Sequence, residues 1–293
     1  EKNNIKVLSH SGWIGNKTNI INFPWLPDFQ EIHFPENFNL INKLIRKVRV
    51  ILCAHYSTKI LISSKSVRKD LKKINFNAYK NSILIKHSVD VPSYNKLKSL
   101  SYLKKKYKIE KYFFFLPNHY WIHKNHIVVL KALSIRKELK KNYQIISTGN
   151  TFDHRHPEHF LNIKKFIEKN KLKNEYKILN IVPYLDLMSF MYHSISLINP
   201  SLSEGWSNTV EQAKAMKKNL IISNIEVHKE QKNDNTTIFD ANNHTSLRNI
   251  LDKNFVDFIK KKKKFNKNYY NSNKKLRIKF INNYQNSILI FLK

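Results

Sequence analysis

One cysteine, four glycines and 21 acidic residues mark what this 293-residue sequence has little of. The lone Cys53 excludes an internal disulfide and any cysteine-based zinc site, and it fits a reducing compartment. Uninterrupted apolar runs are short: stretches such as 113–116 and 288–292 fall far below the roughly 20 residues that cross a bilayer. No signal-peptide pattern opens the chain, because Glu1-Lys2-Asn3-Asn4 leads directly into a β-like run. A cytoplasmic protein is therefore the expectation. Self-similarity at a period of about 20–50 residues is missing too, which argues against a solenoid or propeller. What is present suits a globular core, with 41% hydrophobic and 12% aromatic residues. The length suffices for two modest α/β domains.

Lysine and arginine number 53, and the formal net charge is +32. Such a charge draws a protein toward nucleic acid or an anionic membrane surface. The aromatics do not interleave with basic residues as in an RNP-type sheet, and no zinc finger or similar module appears, so specific nucleic-acid recognition is disfavoured. Lys, Asn, Ile, Tyr and Phe are enriched together while Gly is depleted, as an AT-rich coding sequence would produce. Much of the lysine is then solvated surface. Near an anionic bilayer each lysine still adds about 1 kcal/mol of attraction. The charge indicates where the protein sits rather than what it does.

Short apolar runs alternate with longer helical patterns, the signature of a parallel α/β sheet. Strands are expected over 5–8, 59–62, 82–85, 112–116, 143–147, 176–179, 194–198 and 219–222, and helices over 40–53, 65–74, 126–140, 158–170, 185–192 and 209–216. Asp90-Val91-Pro92-Ser93 breaks the periodicity and suggests a boundary. The division is 1–92, then 93–259 as a nearly complete Rossmann-like domain, then a basic, aromatic tail over 260–293, read as helical and packing back across the first domain. A full doubly wound domain needs about five or six strands. The first domain is therefore read as incomplete, by N-terminal truncation.

The strongest chemical signal is Asn199-Pro200-Ser201-Leu202-Ser203-Glu204-Gly205-Trp206-Ser207-Asn208-Thr209-Val210-Glu211-Gln212-Ala213. It follows an apolar strand and opens a helix, with Ser207, Asn208 and Thr209 all good caps. A helix start presents unpaired N–H groups and partial positive charge, so it can hold a diphosphate. Gly205 lets backbone approach a ligand closely. The bland alternative is that Thr209 and Gln212 form a capping box. That leaves Glu204-Gly205-Trp206 unexplained.

This segment resembles the signature of family 4 glycosyltransferases. There, a first acid contacts the donor sugar and a second, about eight residues on, binds the nucleotide ribose. By that resemblance Glu204 is the sugar-contacting acid, and Glu211 and Gln212 compete for the ribose. Gln212 has the more usual spacing and hydrogen-bonds without charge assistance. A second motif, Leu116-Pro117-Asn118-His119-Tyr120-Trp121-Ile122-His123-Lys124-Asn125-His126, resembles the family's phosphate-gripping segment. Lys124 falls on its lysine, and Asn118 replaces its arginine. A lysine facing a diphosphate stabilises the charge that develops as the glycosidic bond breaks.

Two further segments complete the reading. Asp153-His154-Arg155-His156-Pro157-Glu158-His159 is rich in metal-ligand side chains, but its spacing matches no helical histidine pair, and a polar loop is the simpler account. Pro24-Trp25-Leu26-Pro27-Asp28-Phe29-Gln30-Glu31-Ile32-His33 resembles an acceptor-side loop in which Pro27 stands for the family's histidine, leaving Asp28 and His33 as acceptor candidates. The chain has no Asp-x-Asp metal-diphosphate anchor, so metal-independent transfer is expected. The resemblance implies an α/β fold of the GT-B type: two Rossmann-like domains with parallel sheets, the first incomplete. It implies a retaining hexosyltransferase that takes a nucleotide diphosphate sugar, needs no cofactor or metal, and serves a glycan or lipid-linked acceptor in the cytoplasm or on the inner membrane face. The rival readings are an inactive, binding-only relative, from charge alone a basic nucleic-acid-binding protein, and a nucleotide-sugar epimerase on the same fold.

Overall fold

The apolar run at 112–116 forms a strand because it is covered on both faces, and it sits in the middle of the larger of two α/β units. A computed structural model describes residues 5–15, 19–135, 143–260 and 267–291 of the chain. The first unit comprises Glu1–Ser88, Ser203–Ser207 and Ile278–Lys293, and the second Val89–Leu202 and Asn208–Arg277.

In the first unit the strands are β1 (Val7–Ser11), β2 (Ile21–Pro24), β3 (Ile60–Ile62) and β4 (Ser82–Leu84). β1 pairs with β2 and β3 with β4, both parallel, and a parallel bridge from Trp25 to Leu61 continues β2 onto β3. One face is covered by the helices Leu40–Tyr56 and Lys65–Ile74, which contribute Val50, Cys53, Val67 and Leu71. On the other, Phe23, Leu61 and Ile85 meet Phe280, Tyr284, Ile288 and Phe291. Each of the two helices is capped by a side chain, Asn39 accepting from Asn42 N–H and Ser64 from Val67 N–H.

The second unit carries β5 (Tyr112–Leu116), β6 (Tyr143–Ser147), β7 (Tyr176–Ile178), β8 (Leu197–Asn199), β9 (Leu220–Ser223) and β10 (Thr236–Phe239). They form one sheet in the order β10-β9-β8-β5-β6-β7, with every pairing parallel. Alternate residues feed two cores. Phe114, Leu116, Ile145, Ile198 and Ile221 meet the helices His126–Ser134, His159–Lys169 and His244–Lys260. Phe113, Phe115, Ile146, Leu197 and Ile222 meet Leu100–Tyr107, Tyr184–His193 and Asn208–Ala215. This is a three-layer, doubly wound domain.

Boundaries differ from expectation by one to three residues at most strands. β2 and β10 are additions, and so is the helix His244–Lys260. The helix expected over 126–140 is described to Ser134, and residues 136–140 lie outside the described residues. Within the tail, Tyr269–Leu289 is helical, while 261–266 and 292–293 lie outside the described residues. Among the described residues no helix is long and apolar enough to cross a membrane.

Candidate functional site

Strand order decides where this sheet can bind a ligand. Counting from β5 in chain order, its strands lie 3-2-1-4-5-6, so the direction of winding reverses between β5 and β8. Ligands of doubly wound sheets bind at the carboxyl ends of the strands beside that reversal. The two motifs of the sequence are the loops that leave β5 and β8.

The β5 loop ends in a single turn, Ile122–Lys124, closed by Asn125 in the left-handed region at φ 53°. Asparagine tolerates that conformation better than most side chains. Its amide donates to the carbonyls of Pro200 (3.1 Å) and Ala241 (2.9 Å), and Leu202 N–H donates to the carbonyl of His123 at 2.8 Å. Lys124 is thereby held on a turn stitched to the loop that follows β8. Asn118 is buried and donates to Asn199 Oδ1 at 3.0 Å, and the hydroxyl of Ser201 donates to the same oxygen at 2.7 Å. The residue on the family's arginine position thus ties the two loops together.

Behind these loops lies a neutral polar network. His126 is fully buried, stacks on Tyr120 at 4.0 Å, and reaches Tyr176 Oη (2.7 Å) and the carbonyl of His119 (3.1 Å). A carbonyl only accepts, so Nε2 carries the proton and Nδ1 accepts from the tyrosine. Burial pushes the His126 pKa down to about 3. Gly149, at φ 147°, packs on this loop so closely that a Cβ would lie 2.4 Å from the Asn118 carbonyl oxygen. His119 accepts from Asn150 N–H at 2.9 Å, and its pKa is lowered by burial and then by Lys124.

After β8, Ser203–Ser207 belong to the first unit, and Asn208 opens the helix Asn208–Ala215 of the second. Glu204 and Trp206 are half-buried, and Gly205 and Ser207 are buried. The close approach that Gly205 permits is to protein: a Cβ there would fall 1.9 Å from the Pro27 carbonyl oxygen. Glu211 accepts from Lys214 (2.8 Å) and from the buried Gln231 (2.9 Å), which fastens its helix to Glu226–Gln231. Gln212, one residue on, is half-buried, while Asn208 at the helix start is exposed and Thr209 half-buried.

The acceptor candidates are engaged within the first unit. Asp28 pairs with Arg46 at 3.0 Å, and His33 meets Asp70 at 2.7 Å, which raises the His33 pKa. In the histidine-rich segment, Asp153 is buried and accepts from the N–H groups of Ile122 (3.2 Å) and Arg155 (3.1 Å). Burial pushes its carboxyl up, but those N–H groups together with the charges of Arg155 and His156 hold it below the ordinary range. Asp153 therefore braces the Lys124 turn. Among the described residues no three His, Cys, Asp or Glu side chains are grouped to hold a metal.

The sequence model of the family described as glycosyl transferases group 1 matches residues 98–272. The chain belongs to that family. Comparison with curated proteins gives no match. Among solved structures, the HepE protein of Anabaena in complex with UDP-glucose is similar, with a TM-score of 0.68 and 17% identity over 82% of this chain and 64% of that one. A glycosyltransferase from Rickettsia africae gives 0.63 and 21% over 91% and 67%. WaaG, a glycosyltransferase involved in lipopolysaccharide biosynthesis, gives 0.61 and 12% over 81% and 68%. Identities this low show the fold alone, which is that of GT-B glycosyltransferases. The chain spans 61 and 64% of the length of the HepE chains crystallised with UDP and glucose and with UDP-glucose. The match covers both the Lys124 and the Glu204 segments of this group 1 glycosyl transferase.

Sequence reasoning missed Asn199, Ser201, Gln231, Gly149 and His126 as organisers of the site. Gly149 was the detectable one, a residue type that occurs four times in the chain, standing two residues after a strand.

Proposed function

We propose that the chain transfers a hexose from a nucleotide diphosphate sugar to a hydroxyl of a glycan or lipid-linked acceptor, with retention at the anomeric carbon and without a metal ion. The observation that carries this reading is that the β5 and β8 loops, which bear Lys124 and the Glu204 segment, flank the reversal point of a 3-2-1-4-5-6 sheet. In this reading the bond between the anomeric carbon and phosphate oxygen breaks while the bond to the acceptor oxygen forms on the same face. Lys124 and the amides at the start of Asn208–Ala215 take up the charge of the departing diphosphate. Glu204 orients the sugar. Gln212 is the better ribose ligand, since Glu211 is held by Lys214 and Gln231.

A second, binding-only reading draws on one observation: Asn118, on the arginine position, donates to Asn199 inside the protein. That leaves Lys124 as the side-chain cation of the β5 loop facing the diphosphate.

A thermal-shift panel with UDP, GDP and ADP, alone and as sugar conjugates, tests the assignment. One nucleotide class should stabilise the chain, and Lys124→Ala should weaken its binding by about 10²-fold, as loss of a charge-assisted contact of roughly 3 kcal/mol predicts. Stabilisation equal in the variant would remove Lys124 from the phosphate role. Binding without sugar transfer to any acceptor would favour the second reading.

A further inference from the structure

At the carboxyl ends of the first unit's strands stands a cluster of side chains that the family motifs do not include. His10 lies on β1, Trp25 directly follows β2, Ser63 directly follows β3, and His87 lies three residues beyond β4. Their rings meet edge to face or tilted: His10–Trp25 at 5.8 Å, Trp25–His87 at 5.2 Å and His10–His87 at 5.8 Å. The indole N–H donates to the buried Ser63 hydroxyl oxygen at 3.0 Å, and His87 Nε2 lies 3.1 Å from the same oxygen. Ser63 thus fixes both rings. His10 is exposed and sits in the left-handed backbone region at φ 57°, a strained position of the kind that gathers at functional sites. Its Nδ1 lies 3.0 Å from Ser9 Oγ and 3.3 Å from Tyr284 Oη.

The chemistry of the cluster selects its ligand. Burial lowers the pKa of His10, and burial followed by His10 lowers that of His87, so both imidazoles are neutral near pH 7. The cluster itself holds no arginine, lysine or carboxylate. It offers aromatic faces whose negative quadrupole attracts polarised C–H groups, together with ring nitrogens that exchange hydrogen bonds with hydroxyls. A neutral sugar ring combines an apolar C–H face with a rim of hydroxyls, which matches aromatic faces edged by ring nitrogens. Within the same unit, residues next to the cluster touch the segment read as contacting the donor sugar. Lys86 lies 5.7 Å from the ring centroid of Trp206, and the Pro27 carbonyl lies against Gly205.

We infer that His10, Trp25 and His87 form the acceptor subsite, and that it takes a neutral sugar residue of a glycan, stacked on the aromatic cluster. This rests on the chain being a sugar-transferring enzyme, and it moves the acceptor site from Asp28 and His33, which are paired to Arg46 and Asp70, to the strand ends.

The test uses the full chain labelled with 5-fluorotryptophan, whose four tryptophans give four ¹⁹F resonances. Trp25→Phe and Trp206→Phe assign two of them. Methyl glucoside, methyl galactoside and methyl mannoside are titrated as neutral probes, with methyl glucuronide and inorganic phosphate as anionic ones. At least one neutral glycoside should move the Trp25 resonance saturably. His87→Ala should weaken that binding about tenfold or more, and His10→Asn, which keeps the backbone conformation accessible, should weaken it less. The thermal shift with nucleotide should persist in both variants, which also shows that they fold. Nucleotide binding with no neutral glycoside response at Trp25, a response to the anionic probes alone, or unchanged glycoside affinity in His87→Ala would each overturn the inference. A glycoside response at Trp25 without any nucleotide response would retain the sugar site while removing the transferase reading.

Discussion

Lys124 and His126 stand two positions apart in one histidine-rich loop, yet the fold gives them opposite environments. Lys124 ends a turn at the carboxyl edge of the sheet, whereas His126 turns into the core and is locked between Tyr176 and the His119 carbonyl. A folded pKa of about 3 against 6.5 in the unfolded chain means that, below about pH 6.5, the unfolded state takes up a proton that the folded state refuses. Stability from His126 is therefore complete above pH 6.5 and is lost as the pH falls toward 3. The slope is up to about 1.4 kcal/mol per pH unit. Denaturant titrations at pH 7, 6 and 5 should show His126→Gln less stable at pH 7 but shallower in its pH dependence. Part of the slope remains, because burial also lowers His10, His87, His159 and His193. Parallel slopes in variant and parent would mean that His126 titrates normally. From the sequence, Lys124 was singled out by the family resemblance of its own loop, taken together with the Glu204 segment about eighty residues later. The burial of its neighbour was not, since nothing in a histidine's identity says which face of a loop it takes.

At the scale of elements, legibility followed burial on two faces. β5 and β6 are buried through nearly their whole length and were read to the residue, β5 as a continuous aromatic and aliphatic run and β6 as a short β-branched core between polar ends. β10, at the sheet edge, reads Thr-Thr-Ile-Phe and is only partly covered, so it carried no such signal. The helix Leu40–Tyr56 is the opposite case, legible as a helix but with an unexpected exposed face. Leu40, Ile41, Leu44 and Ile45 are 82, 68, 61 and 59% exposed, while Lys47 and Arg49 beside them are exposed as well. An apolar stripe flanked by cations suits the interface of an anionic bilayer, in line with the expectation from charge that the protein is drawn to an anionic membrane surface. In co-sedimentation with phosphatidylglycerol vesicles, Leu44→Gln with Ile45→Gln should lower partitioning about tenfold or more, since each buried aliphatic side chain is worth about 1.5–3 kcal/mol. An unchanged partition, with the fold retained, would assign vesicle binding to diffuse charge instead.

For the whole molecule, a net charge of +32 acts on every polyanion, whether or not it is a ligand. Binding of a mixed-sequence single-stranded oligonucleotide should therefore be measurable at low salt and should fall about 10²-fold or more between 50 and 200 mM salt, without sequence preference. Fluorescence anisotropy over that range checks it. Affinity that survives high salt would revive the nucleic-acid reading. Nucleotide stabilisation should be far less salt-sensitive, because hydrogen bonds and a helix start contribute beside charge. The two binding modes can then be separated in one preparation.

The sequence alone determined the alternation of strands and helices, the parallel sheet of the second unit, and the two loops that carry Lys124 and Glu204. These are properties of local periodicity and spacing, which the backbone reads over a few residues. Tertiary structure decided what those residues meet: that Asn118 bonds Asn199 across the reversal point, that Gln231 engages Glu211, that Gly205 lies against Pro27, and that His10, Trp25 and His87 share one strand edge. Such partners are tens of residues or more apart, and parallel pairing brings the ends of distant strands together whatever their separation along the chain.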